Sequence, residues 1–241
     1  MPTFDTPNST QTYSSSQSYG VKIWGAGGAD SRGENGAAVD KAEGAGGKGG
    51  FIAVTVPAGT AINILIAEGG NPDDNVVPED KGKSPHFDGG EGGTDNIWGG
   101  GGGAGSTAII RQSDGDTLAV ADGGGGASAV EESDLDNFGG GGGARGGLGG
   151  PDGGSDAAGD GEGGDGGGFG GFLGRDAQDG EPGGQTAHAD VVVYEQSTGG
   201  GNTGDAVVEI VEIQPSMPSG ASQSVQGDDA IDVSWDSAAN A

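Results

Sequence analysis

The sequence predicts an all-β protein: β-sandwich-like strands combined with a bundle of polyglycine II helices, with little or no α-helix. Three observations predict this. Short apolar runs of strand length recur, as in Val21–Trp24, Phe51–Val56 and Ile62–Ile66, and their β-branched content suits a pleated surface. Between them lie unbroken glycine runs, Gly99–Gly103, Gly123–Gly126 and Gly139–Gly143. Helix is disfavoured, because interior glycine costs about 1 kcal/mol per residue and few long stretches have a 3.6-residue period.

Residues 1–18 are rich in Ser, Thr and Gln and read as an N-terminal arm, frayed or docked on a partner. The glycine-rich domain spans residues 19–213, and a polar C-terminal tail spans 214–241. Within the domain, residues 19–25 form the first expected strand. Residues 51–56 and 61–67 flank Pro57-Ala58-Gly59-Thr60 and read as a β-hairpin. Residues 106–112 and 117–121 flank Ser113-Asp114-Gly115-Asp116 and read as a second hairpin. Residues 189–195 and 205–213 are further strands, rich in Val and Ile, and Ala230–Trp235 is one more inside the tail.

The glycine runs admit three physical readings. A flexible linker is usually a Gly-Ser mixture without apolar punctuation. Collagen requires glycine at every third residue, a period that Gly139–Gly147 breaks. The third reading is a bundle of extended threefold helices, rising about 3.1 Å per residue with no internal hydrogen bonds. Their amide and carbonyl groups point outward in three directions. Neighbouring glycine helices then satisfy one another's backbone without large side chains. Valine, isoleucine and tryptophan fill the sandwich core, and the loops between rods are free to vary.

Charge adds a constraint. The chain carries 37 acidic and 9 basic residues, a formal net charge of −28, and the acids are scattered rather than blocked. Such a surface suits molar salt, where screening acts within about 3 Å, and it resembles the proteins of halophilic archaea and their viruses. It disfavours nucleic acid, whose phosphates attract Lys and Arg. There is no cysteine, so disulfides and thiolate chemistry are excluded. No apolar stretch approaches the roughly 20 residues of a membrane span, and the first residues have neither the basic region nor the apolar core of a secretory signal.

Residues with chemical potential are few. His86 and His188 lie far apart in sequence, and neither sits in a nucleophile pattern. Asp114 and Asp116 have the ligand type for Ca²⁺ or another structural cation, but lack the bidentate glutamate spacing of an EF-hand loop. No other cofactor is expected, and no catalytic residue. Phe138, Phe169, Phe172 and Leu173 interrupt glycine tracts. Two readings stand for them: packing between rods, or receptor contact at loop tips, since aromatics concentrate at binding hot spots.

One ordered series of residues resembles a known family. Tyr19–Gly28, then Gly46–Phe51 continuing through Val54–Thr60 and Ile62–Ile66, then Trp98–Ala104 with Ile109–Arg111, then Leu118–Ala121 leading to Gly123–Gly126, is similar to the glycine-rich domain of the anaplastic lymphoma kinase and leukocyte tyrosine kinase receptors. The likeness covers about residues 19–126, with a closing strand near 205–213. Asp122 interrupts the passage from strand to glycines. The sequence holds no kinase domain, so receptor signalling does not carry over. In architecture the chain also resembles tailed-phage fibre-tip adhesins, which pack polyglycine helices and vary their tip loops.

The expectation is therefore a non-enzymatic virion surface protein of a virus of a halophilic archaeon, a tail-fibre or spike adhesin that binds the host surface. The alternatives are a passive capsid or tail decoration, and a cellular surface-layer or matrix protein. Expected partners are other virion proteins, a host cell-surface component, and further copies of the chain, a trimer being one arrangement. Expected location is the virion exterior, with the extracellular cell surface as the alternative.

Overall fold

The structure, a computed structural model, describes residues 1–30, 45–70, 82–90, 101–127, 180 and 182–213 in full. It also describes the backbone of the short strands Arg32–Gly33, Lys41–Glu43, Thr94–Asp95, Trp98–Gly99, Ala129–Glu131, Phe138–Gly139, Ser222–Val225 and Ile231–Ser234. The chain divides into two compact units, Met1–Val211 and Glu212–Ala241.

The larger unit is all-β, built on two five-stranded antiparallel sheets, and no helix occurs among the described residues. The first sheet runs Thr3–Phe4, Val207–Glu212, Tyr19–Trp24, Phe51–Val56, Val192–Ser197. The second runs Gln185–Ala187, Thr117–Ala121, Thr107–Arg111, Ala61–Ile66, Ser9–Ser14. Phe51–Val56 and Ala61–Ile66, expected to pair as a hairpin, thus lie in different sheets: Pro57–Thr60 carries the chain from one sheet to the other, so that both strands turn apolar residues into the shared core.

Register explains the core. Tyr19 pairs with Val56, Val21 with Val54 and Ile23 with Ile52, so one face of this ladder is apolar at every second residue. In the second sheet Ile64 lies between Gln11 and Ile109, and Ile109 pairs with Ala119. These faces meet in one cluster of Tyr19, Val21, Ile23, Ile52, Val54, Val56, Ile62, Ile64, Ile66, Ile109, Leu118, Val208 and Ile210. Burying a side chain of this size is worth about 1.5–3 kcal/mol relative to exposure.

The first eighteen residues, read from sequence as an arm, take part in both sheets. Thr3 pairs with Glu209, Ser9 to Ser14 pair with Ile66 to Ala61, and Phe4 and Tyr13 pack against the core. Tyr13 meets Tyr19 edge-on at 4.9 Å. Asn8, at φ 47°, turns the chain from one sheet to the other, a conformation that asparagine tolerates better than most residues.

Strand direction gives the unit two unlike ends. At one end lie tight connections: Ser15–Ser18, Pro57–Thr60, Gln112–Asp116 and His188–Val191. The Gly59 amide donates to the Ser15 carbonyl there at 2.9 Å. Thr3 begins at this end and Val207–Glu212 finishes at it. At the other end the strands open into glycine-rich segments 25–29, 45–50, 67–70, 101–105, 122–127, 182–184 and 199–204.

These segments hydrogen-bond to one another outside the sheets. Segment 25–29 bonds to 45–50 through Gly25 to Gly50 and Gly28 to Gly47, at 2.8 and 2.9 Å. It bonds to 199–204 through Gly27 to Gly204 at 2.8 Å, and accepts from Gly70 at 2.9 Å. Ala29 donates to Gly102, and Ala26 accepts from Gly124, each at 2.9 Å. One extended segment thus has five neighbouring segments, whereas a β-strand has two. Glycine is required by this closeness. A Cβ on Gly28 would overlap the carbonyl of Gly125, and one on Gly126 would overlap that of Gly101.

Shorter ladders join Ala129–Glu131 to Lys41–Glu43 and Phe138–Gly139, and Trp98–Gly99 to Arg32–Gly33 and Thr94–Asp95. The smaller unit holds an antiparallel pair, Ser222–Val225 with Ile231–Ser234. The second of these strands falls within the one expected at Ala230–Trp235.

Candidate functional site

Every long connection of the larger unit leaves from the glycine end, through residues 25–50, 67–106 and 122–184. The two sheets form a platform, and the mutually bonded glycine segments fix where each connection departs and returns. Phe138, one of the four expected contact residues, lies in the strand Phe138–Gly139 and pairs with Val130. Phe169, Phe172 and Leu173 lie outside the described residues. Asp122, the departure from the resembled pattern, is buried. Its amide donates to Gly184 and its carbonyl accepts from Gly50, so the residue continues the glycine network through its backbone.

Asp114 and Asp116 lie in the turn after Thr107–Arg111, at the opposite end. Their carboxylates are turned onto Arg111. Nε donates to Asp114 Oδ1 at 3.1 Å and Nη2 to Asp116 Oδ2 at 3.0 Å. Nη2 also donates to Asp190 Oδ2 at 2.9 Å, which ties the second-sheet hairpin to the turn entering Val192–Ser197. Asp114 additionally accepts from the Asp116 amide at 3.1 Å. That bond, followed by Arg111, holds its carboxyl below the ordinary carboxylate pKa. The pair expected as cation ligands is thus engaged by a guanidinium. Among the described residues no group of three or more His, Cys, Asp or Glu side chains is placed to hold a metal ion.

The two histidines stand in different surroundings. His188 Nδ1 accepts from the Asp190 amide at 3.2 Å. His86 Nδ1 lies 2.9 Å from Ser106 Oγ, and Ser84 Oγ donates to the Ser106 carbonyl at 2.6 Å. Nothing in the sequence placed His86 beside Ser106, since the segments are joined only by tertiary packing. Ser106 is fully buried, so its hydroxyl fastens segment 82–90 to the second sheet and is closed to a substrate.

A shallow depression of about 160 Å³ at the turn end is lined by Thr12, Tyr13, Ser14, Ala61 and Gln112. The Gln112 amide there donates to Ile62 O and Asn63 Oδ1, at 3.2 and 2.9 Å. Among the described residues no helix is long and apolar enough to cross a membrane.

No protein-family model matches the chain, and no curated protein matches it significantly in sequence.

Proposed function

We propose that the chain is a non-enzymatic virion surface protein of a virus of a halophilic archaeon, a tail-fibre or spike adhesin that binds the host surface through loops at the glycine end. The observation that carries this reading is the polarity of the larger unit. Four of the five tight turns and both termini of its sheet framework occupy one end, the turn at Asn8 being the exception, and every long connection leaves the other. Such a platform suits attachment at the turn end and recognition at the glycine end, because binding residues concentrate on loops held by a rigid scaffold.

The glycine segments fit the same reading as polyglycine II rods. Their five-neighbour bonding is what threefold symmetry allows and a sheet does not. The rods stiffen the base of the loops without occupying their tips. Phe138, Phe169, Phe172 and Leu173 would then contact a host surface component, while other virion proteins hold the opposite end. The scattered charge of −28 suits a particle exposed to brine. The reading calls for no cofactor, and leaves structural cations to the acidic loops.

The test is adsorption. Purified protein in molar KCl should bind host envelope, and a Phe169→Ser, Phe172→Ser, Leu173→Ser variant with an unchanged melting transition should lose most of that binding. Absence of host binding by the intact protein, together with loss of particle assembly on its deletion, would instead favour a passive decoration.

A further inference from the structure

The sandwich has four sheet edges, and three are short or polar. Thr3–Phe4 has two residues and Gln185–Ala187 three, while Ser9–Ser14 is Ser-Thr-Gln-Thr-Tyr-Ser. The fourth, Val192–Ser197, is six residues long, exposed throughout, and pairs on one side with Phe51–Val56. Among the described residues the exposed large hydrophobics are Met1 and three consecutive members of this strand: Val192 at 67%, Val193 at 37% and Tyr194 at 48%. Edge strands are normally blunted by lysine, proline, inward charge or a bulge. This one has no lysine or proline, and its one charge is Glu195. The one protective device it carries is a register shift between Val193 and Glu195, which leaves Tyr194 without a partner in Phe51–Val56.

We infer that this edge pairs with the same edge of a second copy of the chain, antiparallel about a two-fold axis through Val193. The strand's own sequence selects that partner and register. With Val193 opposite Val193 of the copy, Val192 faces Tyr194 and Tyr194 faces Val192. Each exposed apolar residue then meets another, and β-branched and aromatic pairs of this kind stabilise ladders by about 0.2–1 kcal/mol each. Glu195 faces Val191, and Asp190 faces Gln196, so no carboxylate opposes a carboxylate. A register centred on Glu195 would oppose two like charges. Asp190 is in addition bound by Arg111 of its own chain. An isologous contact of this kind closes on itself and gives a dimer rather than a fibre. At net charge −28 two copies repel in dilute buffer, and molar salt removes that repulsion. The inference does not rest on the adhesin reading.

The chain has no cysteine, so single cysteines report the register directly. Facing residues of an antiparallel pair have Cα atoms about 4.5–5.5 Å apart, within disulfide reach. In molar KCl, mild oxidation should convert Val193→Cys to a covalent dimer at least about ten-fold faster than Gln196→Cys. Sedimentation should show a dimer for the unmodified chain, and a monomer for Val193→Lys with an unchanged circular dichroism spectrum. A monomeric unmodified chain, equal cross-linking at both positions, absent cross-linking at Val193, or a Val193→Lys variant that stays associated would each overturn the inference. Failure here leaves host binding intact, and failure of host binding leaves the dimer intact.

Discussion

The amide of Gly124 donates to the carbonyl of Ala26 at 2.9 Å, and a Cβ on Gly124 would overlap the carbonyl of Gly47 on its other side. Gly124 therefore has backbone on two sides and no room for a methyl group. Gly124→Ala should destabilise the fold by about 1–3 kcal/mol or more, as overpacking does. At Gly204 nothing lies within 4 Å of an added Cβ, so Gly204→Ala should change stability by less than about 1 kcal/mol. Urea denaturation in molar KCl checks the pair, and equal effects would contradict the close packing described.

Tyr19 is buried, and its hydroxyl donates to the Thr60 carbonyl at 2.8 Å. Tyr19→Phe should cost about 1–2 kcal/mol, because that bond is lost and an acceptor is left behind. Burial first, and then Tyr13, raises the phenol above its ordinary pKa of 10.0. The folded state thus holds this proton more tightly than the unfolded state does. The stabilisation is complete below pH 10 and declines as pH rises beyond it. The alkaline fall in melting temperature should be shallower in Tyr19→Phe than in the parent chain.

Arg111 lies among three carboxylates, those of Asp114, Asp116 and Asp190. Arg111→Gln leaves them facing one another. Its melting temperature should drop further below the parent's in dilute buffer than in molar KCl, since the repulsion is screened by salt. Asp114 contributes at the acid end. Its folded pKa lies below the ordinary 3.8, so its stabilisation is present above that value and is lost as pH falls through the folded one. Asp114→Asn should flatten the acid limb of a melting-temperature profile below about pH 4.

The whole chain should depend on salt more than any one of its ion pairs. With a net charge of −28, screening over about 3 Å in molar salt gives way to about 30 Å at 10 mM. A cooperative melt in molar KCl should broaden and fall on dialysis to dilute buffer. A sharp transition retained there would contradict adaptation to brine.

Strands were legible where apolar alternation met a turn signal. Thr107–Arg111 and Thr117–Ala121 pair as the expected hairpin, to within a residue, whereas Phe51–Val56 and Ala61–Ile66 match the expected strands but not the expected hairpin, since they lie in different sheets. Ser9–Ser14 was not legible, because an edge strand of Ser, Thr and Gln gains its place from pairing with Ala61–Ile66 rather than from its own side chains. Nor was the role of Arg111, since Asp190 reaches it only after the chain returns from the glycine end. The glycine runs announced close packing, but which segments meet depends on backbone amides that carry no side-chain signature. Phe138 is described only through its pairing with Val130, and the other three expected contact residues lie outside the described residues.

The polarity of the sandwich separates what must be constant in length from what is free to grow. Between Val56 and Ala61, where the chain crosses from one sheet to the other, or between Arg111 and Thr117, which closes a hairpin, an inserted residue would disturb the strand registers that bury the core. Between Ala127 and Gly180, doubling the chain costs only about 0.6 kcal/mol of closure entropy, and both ends stay clamped by backbone bonds, Ala127 to Ala29 at 3.0 Å and Gly180 to Ala45 at 2.9 Å. The same two sheets can therefore carry sequences of very different length and composition, so the molecule lends itself to diversification by insertion at that junction.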